Sequence, residues 1–252
     1  MGILFPEKLV GYLRNSRHVV VLTGAGFSAE SGVPTFREAQ TGLWAKYKAE
    51  ELATPQAFRR NPEMVWDWYN WRRKLISNAN PNSGHYALAK IEQWLCESGQ
   101  TFTLLTQNVD NLHQRAGSQK PIELHGNIFR TKCFECGEIA DNPPTQGPLP
   151  RCTQCNGLLR PDVVWFGENL SLKVLNSAFH AARNCALFFS IGTSSVVHPA
   201  ASLPALALDN DAVLVEINPC PTPLTHLADY VFQAASGEVL PALVDTVWPP
   251  TK

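Results

Sequence analysis

Two cysteine pairs, Cys133-x-x-Cys136 and Cys152-x-x-Cys155, stand fifteen residues apart, the spacing of a four-thiolate zinc site. Each pair sits on a tight knuckle, so its two sulfurs can face one tetrahedral ion. The stretch between them, Gly137 to Arg151, is too polar and proline-rich to build its own core and needs the metal to become ordered. Four protein thiolates leave no open coordination position, which makes such a site structural rather than catalytic. The other cysteines, Cys96, Cys185 and Cys220, stand in apolar or helical surroundings and read as small buried hydrophobes.

A second group is Gly24-x-Gly26-x-x-Ala29, which fits the dinucleotide pattern. It follows the apolar run His18 to Leu22, a short buried strand, and leads into a helix that starts at Ser28-Ala29-Glu30. Free N–H groups and the positive end of a helix at such a turn suit a phosphate. A tight βα turn without a ligand fits the same residues. A hydride-transferring dehydrogenase would place an acidic residue about 20 positions on to hold the ribose. Here Gly32-Val33-Pro34 breaks the helix early, and Glu38 to Trp44 is polar and turn-like, with no second strand. A bound dinucleotide would therefore be covered by the loop after the turn.

Polar groups also follow the other apolar strands: Gln107, Asn108 and Asp110; His125 beside Gly126; Gly192, Thr193 and Ser194; and Asn218. Open parallel sheets bind ligands beyond these carboxyl ends. Any one of these residues alone is an ordinary turn former or cap. His125 alone is as consistent with a satisfied core histidine, but beside a dinucleotide cradle it is a candidate general base.

The elements that must position these residues alternate between strand and helix. A short amphipathic helix over Glu7 to Asn15 precedes the first strand. Later strands are expected over Thr101–Leu105, Pro121–Leu124, Ala186–Ile191 and Ala212–Asn218. Helices are expected over His85–Glu97, Ser171–Asn184 and Pro199–Leu208. This pattern predicts an α/β fold: a Rossmann-like, doubly wound, mostly parallel sheet with a small zinc-binding module and a helical insertion. The core would comprise approximately residues 1–44, 81–128 and 160–252, with the return to the main body beginning at Arg160 to Glu168. The aromatic helical insertion would span 45–80 and the zinc module 129–159, all within a single domain of 1–252.

Composition narrows the function classes. The chain has 252 residues, 44% hydrophobic and 17% charged, enough for a sizeable core. A net charge of −1 gives no global basic character for binding nucleic acid or membranes. No apolar run reaches bilayer length, and the N-terminus lacks a signal-peptide pattern. The expectation is a soluble cytoplasmic protein, or a mitochondrial one if processed from a eukaryotic precursor, with its oligomeric state open and a monomer plausible.

The motifs GAGFSAESGVPTFR, TQNVDNLH, His125-Gly126, the four-cysteine module, VVWFGE and GTS, in this order, resemble those of the sirtuin family of NAD-dependent protein-lysine deacylases. The resemblance covers nearly the whole chain. It implies that an acyl-lysine amide oxygen attacks C1′ of the nicotinamide ribose of NAD, and that nicotinamide leaves. A ribose hydroxyl then captures the imidate, giving free lysine and O-acyl-ADP-ribose. It implies that His125 deprotonates that hydroxyl. Asn108, Asp110 and Ser28 would orient the nicotinamide and ribose, with Gln107 on the ribose. Gly24, Ala25, Gly26, Thr193, Ser194, Asn218 and Ser236 would hold the ADP portion, with Glu30 and Gly192 in the same cofactor set. Phe36 and Arg37 would belong to the loop that shields the reacting carbon. Val164, Trp165 and Phe166 would bind substrate, the chain from Val163 to Glu168 pairing with it as an added strand. One Zn2+ would be structural.

Tyr69-x-x-Arg72 matches the signature of the class III branch, which removes acidic acyl groups from lysine, and Ala53 stands where that branch keeps a small residue. Residues three apart share a helix face, so a phenol and a guanidinium can converge on one carboxylate. Arg73 points about 100° away. Without the resemblance, Tyr69 reads as core and Arg72 as solvated. The implied function is removal of succinyl and malonyl groups, with glutaryl and acetyl as further substrates. The alternative on the same fold is mainly a deacetylase or mono-ADP-ribosyltransferase. A zinc-ribbon nucleic-acid binder and a dehydrogenase fit the residues less well.

Overall fold

A computed structural model of the chain describes residues 2–35, 44–141 and 149–249. The first elements are α1 (Glu7–Asn15), β1 (His18–Thr23), α2 (Ala25–Ala29), α3 (Ala49–Leu52), α4 (Pro55–Arg60), α5 (Pro62–Asn78) and α6 (Ser83–Glu97). They are followed by β2 (Thr101–Thr106), α7 (Leu112–Arg115), β3 (Ile122–Glu123), β4 (Gly126–Cys133), β5 (Ile139–Ala140) and β6 (Leu159–Val163). The chain continues through α8 (Leu172–Asn184), β7 (Leu187–Ile191), α9 (Leu203–Leu208), β8 (Val213–Ile217), β9 (Tyr230–Phe232) and α10 (Ser236–Val247). Among the described residues no helix is long and apolar enough to cross a membrane.

Six strands form one parallel sheet in the order β3-β2-β1-β7-β8-β9. The strand order reverses beside β1, the switch point where open α/β sheets bind ligands. Alternation along β1 shows why both faces are covered. Val19 and Val21 pack under α1, α6 and α10, while Val20 and Leu22 pack under α8 and α9.

A three-stranded sheet, β5-β4-β6, is antiparallel. Strand β6 belongs here, so residues 159–163 do not return to the main sheet; that return comes with α8. Helices α3–α5 and this small sheet share one core, with Phe58, Trp66, Trp68, Tyr69, Ile128, Leu159 and Trp165 in contact. The Trp66 indole donates to the Leu159 carbonyl at 2.8 Å, and Arg73 Nε donates to the Ile128 carbonyl at 2.6 Å. Arg73 is thereby tied to β4.

Caps explain where the small helices begin. Thr54 and Asn61 accept from the N–H groups of Ala57 and Met64, each just before a proline in the first turn. Helix α6 starts at Ser83, two residues before the expected start, because Asn82 and His85 form a reciprocal capping box. The expected helix at Ser28 also begins earlier, at Ala25, with Gly24 as its N-cap. It ends at Ala29, consistent with the expected break at Gly32–Pro34.

His85 makes an edge contact with Phe27 at 4.7 Å and lies 4.8 Å from the His113 ring, all three buried. Burial lowers the His85 pKa to about 4, and burial followed by His85 lowers that of His113 well below 6.5. An unfolded chain binds these protons near pH 6.5, so their contribution to stability is complete above that value and is lost as pH falls toward 4. At about 1.4 kcal/mol per unit, His85 alone accounts for roughly 3 kcal/mol. Urea midpoints should therefore fall between pH 6.5 and 4, and His85→Gln should flatten that dependence; equal slopes in the two proteins would refute this account.

Candidate functional site

Parallel strands β1, β2, β7 and β8 release residues 24–28, 107–110, 192–194 and 218 from one edge of the sheet, and β3 delivers His125 beside them. The floor is an all-glycine contact. A Cβ on Gly24 or Gly26 would lie 2.8 Å from the Gly192 carbonyl oxygen, and one on Gly192, at φ +60°, would lie 2.4 Å from Phe27 N. The N–H groups of Gly24 and Gly26 donate to the carbonyls of Ile191 and Gly192 at 3.0 and 2.8 Å. These two N–H groups are thus not the free anion donors expected from the motif; the glycines let two backbones touch. Ala25, between them, is exposed.

The polar side chains form a connected network. Asn108 Nδ2 donates to the Gly24 carbonyl and to Ser28 Oγ, both at 3.0 Å. The Ser28 hydroxyl in turn bonds the Asp110 carboxylate, which also accepts from Leu112 N at 2.9 Å. Burial raises the Asp110 pKa, and these bonds oppose the rise. Gln107 Nε2 donates to Thr193 Oγ1 at 3.0 Å, which also accepts from Ser195 N at 3.2 Å. Ser194 is half-buried, and Asn218 Nδ2 bonds the Cys220 carbonyl at 2.7 Å. Glu30 accepts from Ser236 Oγ at 3.2 Å and Gly237 N at 2.8 Å, which places its carboxylate at the N-terminus of α10.

His125 Nδ1 lies 3.1 Å from the Gln107 carbonyl. A carbonyl only accepts, so Nδ1 carries the proton and Nε2 keeps its lone pair. Burial lowers the His125 pKa, partly offset by that bond, so the ring is neutral at pH 7. Gly126 fixes the turn that follows: at φ +84°, a Cβ there would lie 2.1 Å from the Asp162 carbonyl oxygen.

Backbone bonds tie together several of the residues expected beside the acyl-lysine. Val164 N donates to the His125 carbonyl and Phe166 N to the Ala53 carbonyl, both at 2.9 Å. Trp165 N donates to Glu168 at 2.8 Å. These N–H groups are committed within the chain, so a strand added along 163–168 would draw on other backbone groups. Phe166 is exposed, whereas Trp165 is 2% exposed and Tyr69 1% exposed. Arg72 lies over the Trp68 ring at 5.3 Å, near Tyr69 on the same helix and close enough to Asp110 for that carboxylate to favour its charged form. Phe36 and Arg37 lie outside the described residues.

The four cysteine sulfurs lie within 4.8 Å of one another, with separations of 3.4 Å (Cys133–Cys155), 3.6 Å (Cys136–Cys155) and 3.7 Å (Cys136–Cys152). Zn–S bonds of about 2.3 Å in a tetrahedron put sulfurs about 3.8 Å apart, so the donor set fits zinc. Of the other cysteines, Cys185 is buried as expected, but Cys96 and Cys220 are exposed. Cys96 falls on the outer side of α6, and Cys220 lies in the loop after β8.

A second row of side chains was not evident from sequence. The Thr23 hydroxyl donates to Thr106 Oγ1 at 2.8 Å and therefore accepts from His113 Nε2 at 2.9 Å. Thr106 also receives Asn108 N at 3.1 Å, linking buried His113 to the site. The available signal was a threonine closing each of two central strands, paired in register as Thr23↔Thr106.

Fold and strand-end cleft together define an α/β protein of the Rossmann-like class with a four-cysteine metal module. The model of the Sir2 family matches residues 24–199. An NAD-dependent protein deacylase of Aquifex aeolicus is 52% identical over 230 residues, covering 90% of this chain and 94% of that protein. The NAD-dependent protein deacylase 2 of Pyrobaculum aerophilum is 52% identical over 237 residues, covering 93% of each. Among solved structures, a Sir2 homologue–NAD complex matches with a TM-score of 0.89 at 46% identity, over 98% of this chain and 95% of that one. A mutant Sir2 homologue in complex with 2′-O-acetyl ADP ribose matches at 0.86 and 46%, over 96% of both. The chain belongs to the Sir2 family.

Proposed function

We propose that this Sir2-family chain, an NAD-dependent protein deacylase, removes acidic acyl groups, succinyl or malonyl foremost, from lysine side chains of proteins, with glutaryl and acetyl as further substrates. The observation that carries the acyl preference is the pairing of Tyr69 and Arg72 on one face of α5, beside the Ala53–Phe166 contact. Burial pushes the Tyr69 pKa up to about 12, so the phenol stays a neutral donor at working pH, and Arg72 supplies the charge. A carboxylate between them would gain charge-assisted bonds that an acetyl group cannot make.

NAD, when bound, would supply the ribose C1′ that the acyl oxygen attacks as nicotinamide leaves, and the ribose hydroxyl that finally carries the acyl group. Neutral His125, with Nε2 unprotonated, acts as base toward a ribose hydroxyl. Asn108, Ser28 and Asp110 hold the nicotinamide end and Gln107 the ribose. Gly24, Ala25, Gly26, Thr193, Ser194, Asn218 and Ser236 line the ADP portion. Glu30 acts through α10 and Gly192 through its contact with the glycine turn. Val164, Phe166 and Ala53 border the acyl-lysine.

The competing reading, deacetylation alone, draws on the near-complete burial of Tyr69, which would suit a purely structural phenol. Measuring kcat/KM on succinyl- and acetyl-lysine peptides decides between them. Tyr69→Phe/Arg72→Met should lower the succinyl value between ten- and a hundredfold, the range of one or two charged hydrogen bonds, with acetyl little changed. An unchanged succinyl-to-acetyl ratio would sink the carboxylate clamp.

A further inference from the structure

Trp165 interrupts an otherwise plain account of the acyl site. Its neighbours Val164 and Phe166 are half-buried and exposed, yet its own ring is almost wholly enclosed. Arg160 lies over that ring, 3.2 Å from its centroid, and Phe58 packs against it at 5.4 Å. Arg160 is itself fixed, bonding both carboxylate oxygens of Glu168 and the Val163 carbonyl. Glu168 also receives Trp165 N at 2.8 Å. The indole is therefore held at backbone and ring face, with little freedom to rotate.

From this fixed position Trp165 Nε1 donates to the Tyr69 hydroxyl at 2.8 Å. An indole N–H can only donate, so it occupies an acceptor direction on the phenol oxygen. The phenol's one hydrogen must then point elsewhere and seek an acceptor. Arg72, its charged neighbour on α5, also carries only donors. The terminal carboxylate of an acyl group lying beside Arg72 would supply that acceptor.

We infer that Trp165 is a positioning residue for acyl selectivity: its indole N–H turns the Tyr69 hydroxyl so that the phenolic hydrogen faces the terminal carboxylate of the acyl group beside Arg72. The inference rests on the acidic-acyl reading above. It also answers the objection from burial, because the phenol's hydrogen-bond partner is a donor that leaves its hydrogen available.

The test compares succinyl- and acetyl-lysine peptides, with NAD saturating, in the wild type, Tyr69→Phe, Trp165→Phe and the double variant. Trp165→Phe should lower succinyl kcat/KM by roughly five- to tenfold, the worth of one buried hydrogen bond, chiefly through KM. Acetyl kcat/KM should fall less than the succinyl value, so that the succinyl-to-acetyl ratio drops, and in the Tyr69→Phe background Trp165→Phe should not move the ratio further. Replacing the Trp165 indole by its benzothiophene isostere, which keeps the shape and lacks the N–H, should reproduce the effect should phenylalanine pack poorly. A ratio changed by Tyr69→Phe but by neither Trp165 substitution would overturn the role of Trp165 alone. Equal losses on both peptides with the isostere would do the same. A ratio that neither Tyr69→Phe nor Tyr69→Phe/Arg72→Met moves would overturn the acidic-acyl reading, and this inference with it.

Discussion

Replacing His125 by alanine should reduce deacylation by roughly 10²–10⁴-fold, the usual contribution of a general base, while leaving NAD binding nearly unchanged. The expectation follows from one contact. The Gln107 carbonyl 3.1 Å from Nδ1 holds the ring in the tautomer that leaves Nε2 basic. Of the many groups that hold the dinucleotide, His125 meets only the ribose hydroxyl it deprotonates, so affinity by calorimetry and turnover by nicotinamide release should separate. The pH profile gives a second signature. Because burial lowers the His125 pKa from 6.5, the neutral base should persist below that value. Turnover should therefore be flat through neutral pH and fall only on the acid side, as Nε2 takes up a proton. A variant retaining a tenth of wild-type turnover, or an acid limb centred above 6.5, would rule out His125 as the base.

The features that could be read from sequence were those set by short-range chemistry. The continuous apolar run of β1, the helix Glu7–Asn15 and the paired CxxC knuckles all depend on neighbours within a few residues. Strand ends carrying polar residues indicated which edge of the sheet would hold the site. What could not be read depended on partners far along the chain. Gly24 and Gly26 serve a contact with Gly192, and nothing local distinguishes a glycine that meets a phosphate from one that meets another backbone. The place of β6 was hidden because its partner β4 lies across the cysteine module. Trp165 sits between two residues of higher exposure and gives no periodic sign of its own burial. Cys96 and Cys220 were misread as buried because burial was inferred from cysteine's average habit rather than from the face each occupies. The link from His113 through Thr23 and Thr106 to Asn108 joins residues on separate strands and a helix, and only the register reveals it.

Removing the metal should unfold the smaller lobe and abolish activity while much of the main sheet survives. Cys133 and Cys152 are buried in the same cluster as Phe58, Trp66, Tyr69 and Trp165, so the four thiolates close one side of the core that carries the residues proposed to meet the acyl group. Apparent binding free energies of about 10–16 kcal/mol for structural zinc match or exceed the whole stability of a typical domain. A lobe that small cannot replace that contribution by burial alone. The main sheet is differently placed, having separate clusters on its two faces, neither of which includes a cysteine of the module. Tryptophan positions make the two parts separable by fluorescence. Trp44, Trp66, Trp68, Trp71 and Trp165 belong to the cluster beside the four cysteines, whereas Trp94 and Trp248 pack on one face of the main sheet. Treatment with a strong zinc chelator should red-shift most of the tryptophan emission, leave substantial far-ultraviolet ellipticity, and leave one thermal transition, that of the main sheet. Cys136→Ser should behave in the same way without chelator, since three thiolates bind zinc more weakly than four. Full activity and unchanged emission in protein shown by metal analysis to be zinc-free would mean that the lobe is held by its aromatic packing, and that the four thiolates are not its structural support.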